Sequence, residues 1–377
     1  MLPQPKFPAS PARFIGRHIE IDSFRHALTE GISVGRTSSF AVLGDWGVGK
    51  SSLLLKFASI CAEPSYGMLA VLVSVSTDLH NYLGLAESLL DKLSETLAAT
   101  NSTGANLRLE VLNWKLKRVN IGGFELDREA PQFFLRSGST LLRHALTDAW
   151  KRFLPQAHIQ GVIFFLDDVH NLSGPHPQDV ALALRDQFQA LAIEGMNYSV
   201  CFSARTDYFS AVRSFAEPAV RFYDKIYLGS FSEDETTEYV RAVFGPQAQD
   251  APCLARWLYE KTLGHPYFLA FISRQLALNA KDSPVDSPER LWRDISQQLE
   301  KDKFCSDLAH VASRELELLC QLARTAEEEC TPRELSGRFQ RMHFTRLVEK
   351  GLLIRSGRGR YKLYHPLFKQ FLQGLKP

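Results

Sequence analysis

Gly44, Asp45, Trp46, Gly47, Val48, Gly49, Lys50, Ser51 and Ser52 follow one another with a spacing that points to phosphate chemistry. A glycine, four residues, then Gly-Lys-Ser is the pattern of a loop that wraps a polyphosphate with its own backbone N–H groups. The glycines let the backbone come close, and a helix starting at Lys50 would aim its positive end at the anion. Lys50 would reach the β- and γ-phosphates, and the Ser51 hydroxyl would take one position on Mg²⁺.

Such a loop needs carboxylates elsewhere. They are expected in Gly161–His170, GVIFFLDDVH, where an apolar run ends in Asp167-Asp168. Asp167 would hold the Mg²⁺, largely through water, and Asp168 would polarise the attacking water. Aspartate is one methylene shorter than glutamate, so slow hydrolysis is expected. Arg205 follows a third apolar run, Tyr198–Ser203, and could contact the γ-phosphate; a plain surface arginine is the rival reading. No N-K-x-D motif for guanine is present, since the Asn279–Asp282 stretch has the wrong spacing. ATP is therefore expected over GTP.

These groups must be positioned by an α/β fold. Phe40–Leu43 before the loop and Val162–Leu166 before the aspartates read as strands buried on both faces of a parallel sheet. In such a sheet ligands sit beyond the carboxyl ends of the strands. Met68–Ser76 reads as a further strand, Lys225–Leu228 as the last, and Tyr82–Ala98 and Ser139–Phe153 as helices. The stretch between those helices reads as an insertion over about residues 99–136, with a hairpin at Leu112–Asp127. Ser232 to about Phe304 is helical in pattern, with a loop at Asp282–Pro288.

The ordered set of motifs resembles the AAA+-related and STAND ATPases, especially the archaeal-type ATPases and their bacterial relatives. FIGRHIEID at Phe14–Asp22, CFSART, LGSFSEDETTEYV at Leu228–Val240 and GHPYFL at Gly264–Leu269 carry it, beside the two phosphate motifs. The resemblance implies a P-loop NTPase sheet with flanking helices, then a helical lid and a C-terminal winged helix. It implies that Phe14, Ile15 and Arg17 lie against the adenine of ATP or ADP and that Pro266 packs on the base. It places a trans-acting arginine, if one exists, near Arg213 and Arg221; both could equally be solvated helix residues. A lid arginine of the AAA+ kind is not evident beside Gly264-His265-Pro266, which favours a STAND-like switch over a processive motor.

Composition sets the frame. The 377 residues are 45% hydrophobic and 23% charged, a globular profile too long for one ordinary domain. No run approaches the ~20 apolar residues of a membrane span, and Met1–Arg17 does not read as a signal peptide. Six cysteines without a C-x-x-C pair suggest a reduced, cytoplasmic protein. Expected boundaries are 1–230 for the ATPase domain, 231–304 for the lid and 305–377 for the winged helix.

Charge is uneven. Residues 331–377 hold eleven Lys and Arg against two acids, an excess of nine in a chain of net charge +2, which leaves the other 330 residues at −7. The basic end therefore expects an anionic partner, either nucleic acid or the acidic body itself. Glu315–Ala326 and Gln340–Lys350 read as helices, Thr331-Pro332 as a helix start, and Leu352–Arg355 with Tyr361–Tyr364 as a wing. Arg341 and Arg346 on the recognition-helix region and Arg355, Arg358, Arg360 and Lys362 on the wing are the candidate contacts to double-stranded DNA.

Two function classes remain open. One is a nucleotide-driven switch acting on DNA. The other is a STAND-type signalling or defence switch in which the winged helix is a latch and the output is homo-oligomerisation or activation of a protein partner. A metabolic kinase is a weaker third class, since no acceptor pocket can be read.

Overall fold

Residues with continuous apolar side chains form the sheet. β1 (Ser39–Gly44), β2 (Met68–Ser74), β3 (Gly161–Asp167), β4 (Tyr198–Ala204) and β5 (Tyr223–Leu228) pair in the order β2-β3-β4-β1-β5, all parallel. β1 and β4 are buried along their whole length and β3 along all but Asp167, as strands covered on both faces must be. The computed structural model describes residues 2–75, 81–100, 131–172, 177–209, 217–245, 251–279, 288–325, 327–335, 339–357 and 359–375. The expected hairpin at 112–127, Arg213 and Arg358 lie outside the described residues.

Helices flank the sheet: α1 (His18–Val34), α2 (Lys50–Cys61), α3 (Tyr82–Thr100), α4 (Pro131–Arg152), α5 (Pro177–Ile193) and α6 (Glu217–Phe222). Two adjacent phenylalanines show the period-2 logic of β3. Phe164 packs against Phe188 of α5, with ring centres 5.9 Å apart. Phe165 lies in the other cluster, near Phe24 of α1, which stacks on Phe57 of α2 at 4.0 Å and 6°. Truncating a buried phenylalanine such as Phe24 costs about 3–5 kcal/mol, so this second cluster fixes α2, and with it Lys50, beneath the sheet's carboxyl edge.

Two compact units make up the chain: Ala9–Gly44 with Gly49–Leu228, and Met1–Pro8, Asp45–Val48 with Gly229–Pro377. The first is the sheet unit. The second is helical, beginning with α7 (Glu233–Phe244), α8 (Ala251–Thr262), α9 (Pro266–Asn279) and α10 (Pro288–Leu299). A reciprocal capping box starts α7: Ser232 Oγ accepts from Glu235 N–H at 3.1 Å, and Ser232 N–H donates to Glu235 Oε2 at 2.9 Å. After α10 a π-helical turn, Glu300–Phe304, leads into a one-turn helix, Cys305–Leu308.

Gly264, between α8 and α9, can be no other residue. Its φ is +70°, its carbonyl accepts from Phe231 N–H at 2.8 Å, and a Cβ there would stand 2.0 Å from Phe231 O. Gly264→Ala is therefore expected to destabilise the helical unit by at least about 1–3 kcal/mol, through strain and backbone displacement. Thermal melting checks this; a variant that melts like wild type would refute this account of the α8–α9 turn.

The chain ends in α11 (Ser313–Arg324), α12 (Arg341–Glu349), the antiparallel hairpin β6 (Leu353–Gly357) and β7 (Arg360–Leu363), and α13 (Pro366–Gly374). Thr331 begins a turn rather than a described helix: its N–H donates to Glu334 Oε2 at 2.6 Å, and Glu334 N–H donates to its carbonyl at 3.1 Å. Phe344, Leu347, Tyr361, Phe368 and Leu372 are buried in this part, with Phe344 and Tyr361 4.8 Å apart. Lys350 is drawn inward: its Nζ pairs with the buried Glu315 carboxylate and donates to His310 O at 2.9 Å.

Candidate active site

Within the sheet unit the chemistry gathers at the carboxyl ends of β1, β4 and β3. Lys50 opens α2 and is buried, and Gly49 before it has φ +96°, a conformation only glycine takes without strain. β4 separates β1 from β3, and Ser203 near its end pairs with Val42 of β1 in the parallel register. Ser203 is fully buried and its hydroxyl is used twice. It donates to Asp167 Oδ1 at 2.6 Å and accepts from Asp168 N–H at 2.8 Å.

That hydroxyl fixes one lone pair of Asp167 and the backbone of Asp168. Asp168 sits at φ 57° and ψ 50°, a left-handed turn without a glycine to signal it. Its side chain is 40% exposed. His170 follows in a 3-10 turn, Val169–Asn171. Arg205 comes two residues after Ser203 and pairs with Asp207, Nε to Oδ1, at 3.4 Å. The His170 imidazole is held below its usual pKa, first by burial and further by the nearby charges of Lys50 and Arg205, with Asp168 and Asp207 opposing. One side chain thus registers all four charged groups.

The donor set suits magnesium. Among the described residues no three His, Cys, Asp or Glu side chains converge as an all-protein cage would require. Mg²⁺ in such sites takes a hydroxyl, one carboxylate, waters and substrate phosphates; Ser51 and Asp167 would be the residues to offer the first two, and Asp167 Oδ1 is oriented by Ser203.

Other expected residues fall elsewhere. Phe14 and Ile15 are half-buried, and Arg17 is buried at φ 60°, capping α1 with its carbonyl and lying 3.8 Å from Glu20. Just before them Ala9 N–H donates to Ser52 Oγ at 3.0 Å, so the N-terminal segment runs over the first turn of α2. Arg221 lies exposed in the last turn of α6. Pro266 is the first residue of α9, in the helical unit. Asp45–Val48, the middle of the glycine loop, groups with that unit too. There Lys303 Nζ lies 3.8 Å from the Trp46 ring centre, Tyr267 is 4.5 Å away, and His265 Nε2–H donates to Trp46 O at 3.1 Å. Burial lowers the His265 pKa to about 3, so the ring is neutral and donates through one nitrogen.

Residues 13–194 match the family model for the AAA ATPase domain. This segment is similar to an AAA ATPase domain. The match covers the glycine loop and both aspartates and stops before β4, so it includes neither Ser203 nor Arg205. No curated protein matches the chain in sequence. Among solved structures, the Walker-type ATPase of Pyrococcus abyssi is 14% identical, with a TM-score of 0.59, over 97% of this chain and 98% of its own. The Aeropyrum pernix ORC2 protein, seen in ADPNP–ADP complexes, is 14% identical at 0.60, over 97% and 94%. The Thermotoga maritima RuvB Holliday junction branch migration motor is 14% identical at 0.50, over 99% and 100%. At these identities the likeness is one of fold: a P-loop NTPase sheet with flanking helices, followed by a helical region. Among the described residues no helix is long and apolar enough to cross a membrane.

Sequence reasoning gave no task to Ser203 or His170. Ser203 carried a signal, a hydroxyl two places before an arginine at the end of an apolar run. His170 carried none beyond its nearness to Asp168.

Proposed function

We propose that the chain is an ATP-binding, slowly hydrolysing switch that couples its nucleotide state to duplex DNA through a winged helix at its basic end. The observation that carries the ATPase reading is the Ser203 hydroxyl, which ties Asp167 and the Asp168 backbone into one cluster beside Lys50 and Arg205. Lys50 and the loop N–H groups bind the phosphates, and Ser51 and Asp167 hold the metal. Bound there, Mg²⁺ would neutralise phosphate charge that develops in the reaction. Asp168 accepts a proton from the attacking water, and Arg205 faces the γ-phosphate. With the carboxylate of Asp168 one methylene short of a glutamate, turnover is slow.

For the DNA arm, the order of two helices, hairpin and closing helix supports a winged helix. Arg341, Arg346, Arg355 and Arg360 are exposed on α12 and the hairpin, while Lys362 is half-buried. The RuvB and ORC2 folds are compatible with such a role. The test is ATP turnover by the purified chain with magnesium, with and without duplex DNA. Turnover that is metal-dependent and changed by DNA supports the reading; absence of ATP binding overturns it.

A second reading is favoured by a separate observation. The β7–α13 junction is tied to the lid helices: His365 Nε2–H donates to Thr262 O at 2.8 Å, and Tyr364 O–H donates to Asp307 Oδ2 at 2.9 Å. A domain so fastened suits a latch, with oligomerisation or activation of a protein partner as output and Arg221 or Arg213 as a trans-acting arginine. Phe14, Ile15, Arg17 and Pro266 serve adenine in either reading.

A further inference from the structure

His170 has no task in the account so far, yet it is built into the site. Its 3-10 turn is anchored by Val169 and Leu172, 2% and 7% exposed, and closed by Asn171 N–H donating to Asp168 O at 2.8 Å. His170 Nδ1 lies 3.8 Å from Asp168 Oδ1. That nitrogen is buried and has no hydrogen-bond partner among the described residues. Buried polar atoms are nearly always paired, and a small side-chain rotation closes this gap to hydrogen-bond length. The Asp168 backbone is pinned by Ser203, but its carboxylate has from that hydroxyl a contact of 3.5 Å. Lys50 and Arg205 are near enough to act on the imidazole, and either would draw an unrestrained Asp168 carboxylate toward itself.

We propose that His170 is a positioning residue for Asp168: the neutral imidazole donates Nδ1–H to Asp168 Oδ1 and leaves the other carboxylate oxygen toward the attacking water. The inference rests on the reading of Asp168 as the water-polarising group. In the step it serves, a water proton passes to Asp168 Oδ2, the water oxygen bonds to the γ-phosphorus, and the bond to the β–γ bridging oxygen breaks to leave ADP. His170 keeps its proton throughout. The groups facing it are Asp168, Lys50, Arg205 and Asp207; burial and the two cations keep it neutral near pH 7, so it orients the carboxylate without neutralising it.

The test compares His170→Asn, His170→Gln and His170→Ala in the full chain, by kcat, KM for ATP with magnesium, and melting temperature. The Asn amide nitrogen falls near Nδ1 and the Gln amide nitrogen near Nε2. Positioning through Nδ1 predicts that Asn retains most of the turnover. Gln and Ala should lose kcat by about 10- to 100-fold, the cost of a misplaced reacting group, with KM and melting unchanged. In an Asp168→Asn background, His170→Ala should have no further effect. Wild-type kcat in His170→Ala, rescue by Gln instead of Asn, a loss that follows the melting temperature, or a further loss in the Asp168→Asn background overturns the proposal. Wild-type turnover in Asp168→Asn alone overturns instead the reading on which it rests.

Discussion

Asp168→Asn is expected to bind ATP as tightly as the wild type and to lose kcat by about 10²- to 10⁴-fold, the usual share of a general base. The substitution is isosteric. Asparagine tolerates the left-handed conformation at φ 57° as well as aspartate does. The backbone N–H keeps its bond to Ser203, and Asp167 Oδ1 keeps the same hydroxyl. Only the proton acceptor is removed, so folding and phosphate contacts should persist. Steady-state turnover together with nucleotide affinity checks this, and wild-type turnover would mean that the water's proton goes elsewhere.

The second large effect concerns charge at the basic end. Arg346→Glu, Arg355→Glu and Arg360→Glu together should lower duplex DNA affinity by about 10²-fold or more at moderate salt. Each lost pair forfeits counterion release and each glutamate adds repulsion. The slope of log K against log salt should flatten by about 0.9 for each phosphate contact removed. All three side chains are exposed and have little packing to lose. The Arg360–Glu329 pair, 3.8 Å apart and exposed, is worth little. ATP binding should be unaffected. The latch reading expects a different outcome: DNA-free turnover or oligomer size changes, with no DNA affinity to lose. Unchanged values in every assay would make the charge excess a solvated surface.

What could be read in the sequence was local. The glycine loop, the apolar run before Asp167 and the helices that follow Ser232 are encoded in contiguous residues, so spacing and periodicity found them. The strand order was not local. Nothing near Val162–Leu166 says that β4, some thirty residues on, lies between it and the glycine loop, and so the double use of the Ser203 hydroxyl was invisible. The turn at Asp168 was hidden for another reason, since a non-glycine residue takes the left-handed conformation there. The hold on Trp46 by Lys303 joins residues far apart in the chain, and neither carries a motif for it. α4 begins at Pro131, before the Ser139 expected, because a proline suits a helix's first turn.

The central claim is that the loop around Lys50 holds ATP, and calorimetric titration of ATP with magnesium into wild type and Lys50→Ala tests it most directly. Lys50 is buried at the start of α2, where its charge has little water to compete with a phosphate. The wild type should bind ATP saturably, and Lys50→Ala should lose the charge-assisted bond, about 1.5–3 kcal/mol or roughly 10- to 150-fold in affinity. Equal affinity in the two proteins, or no binding of ATP by the wild type, would contradict the account.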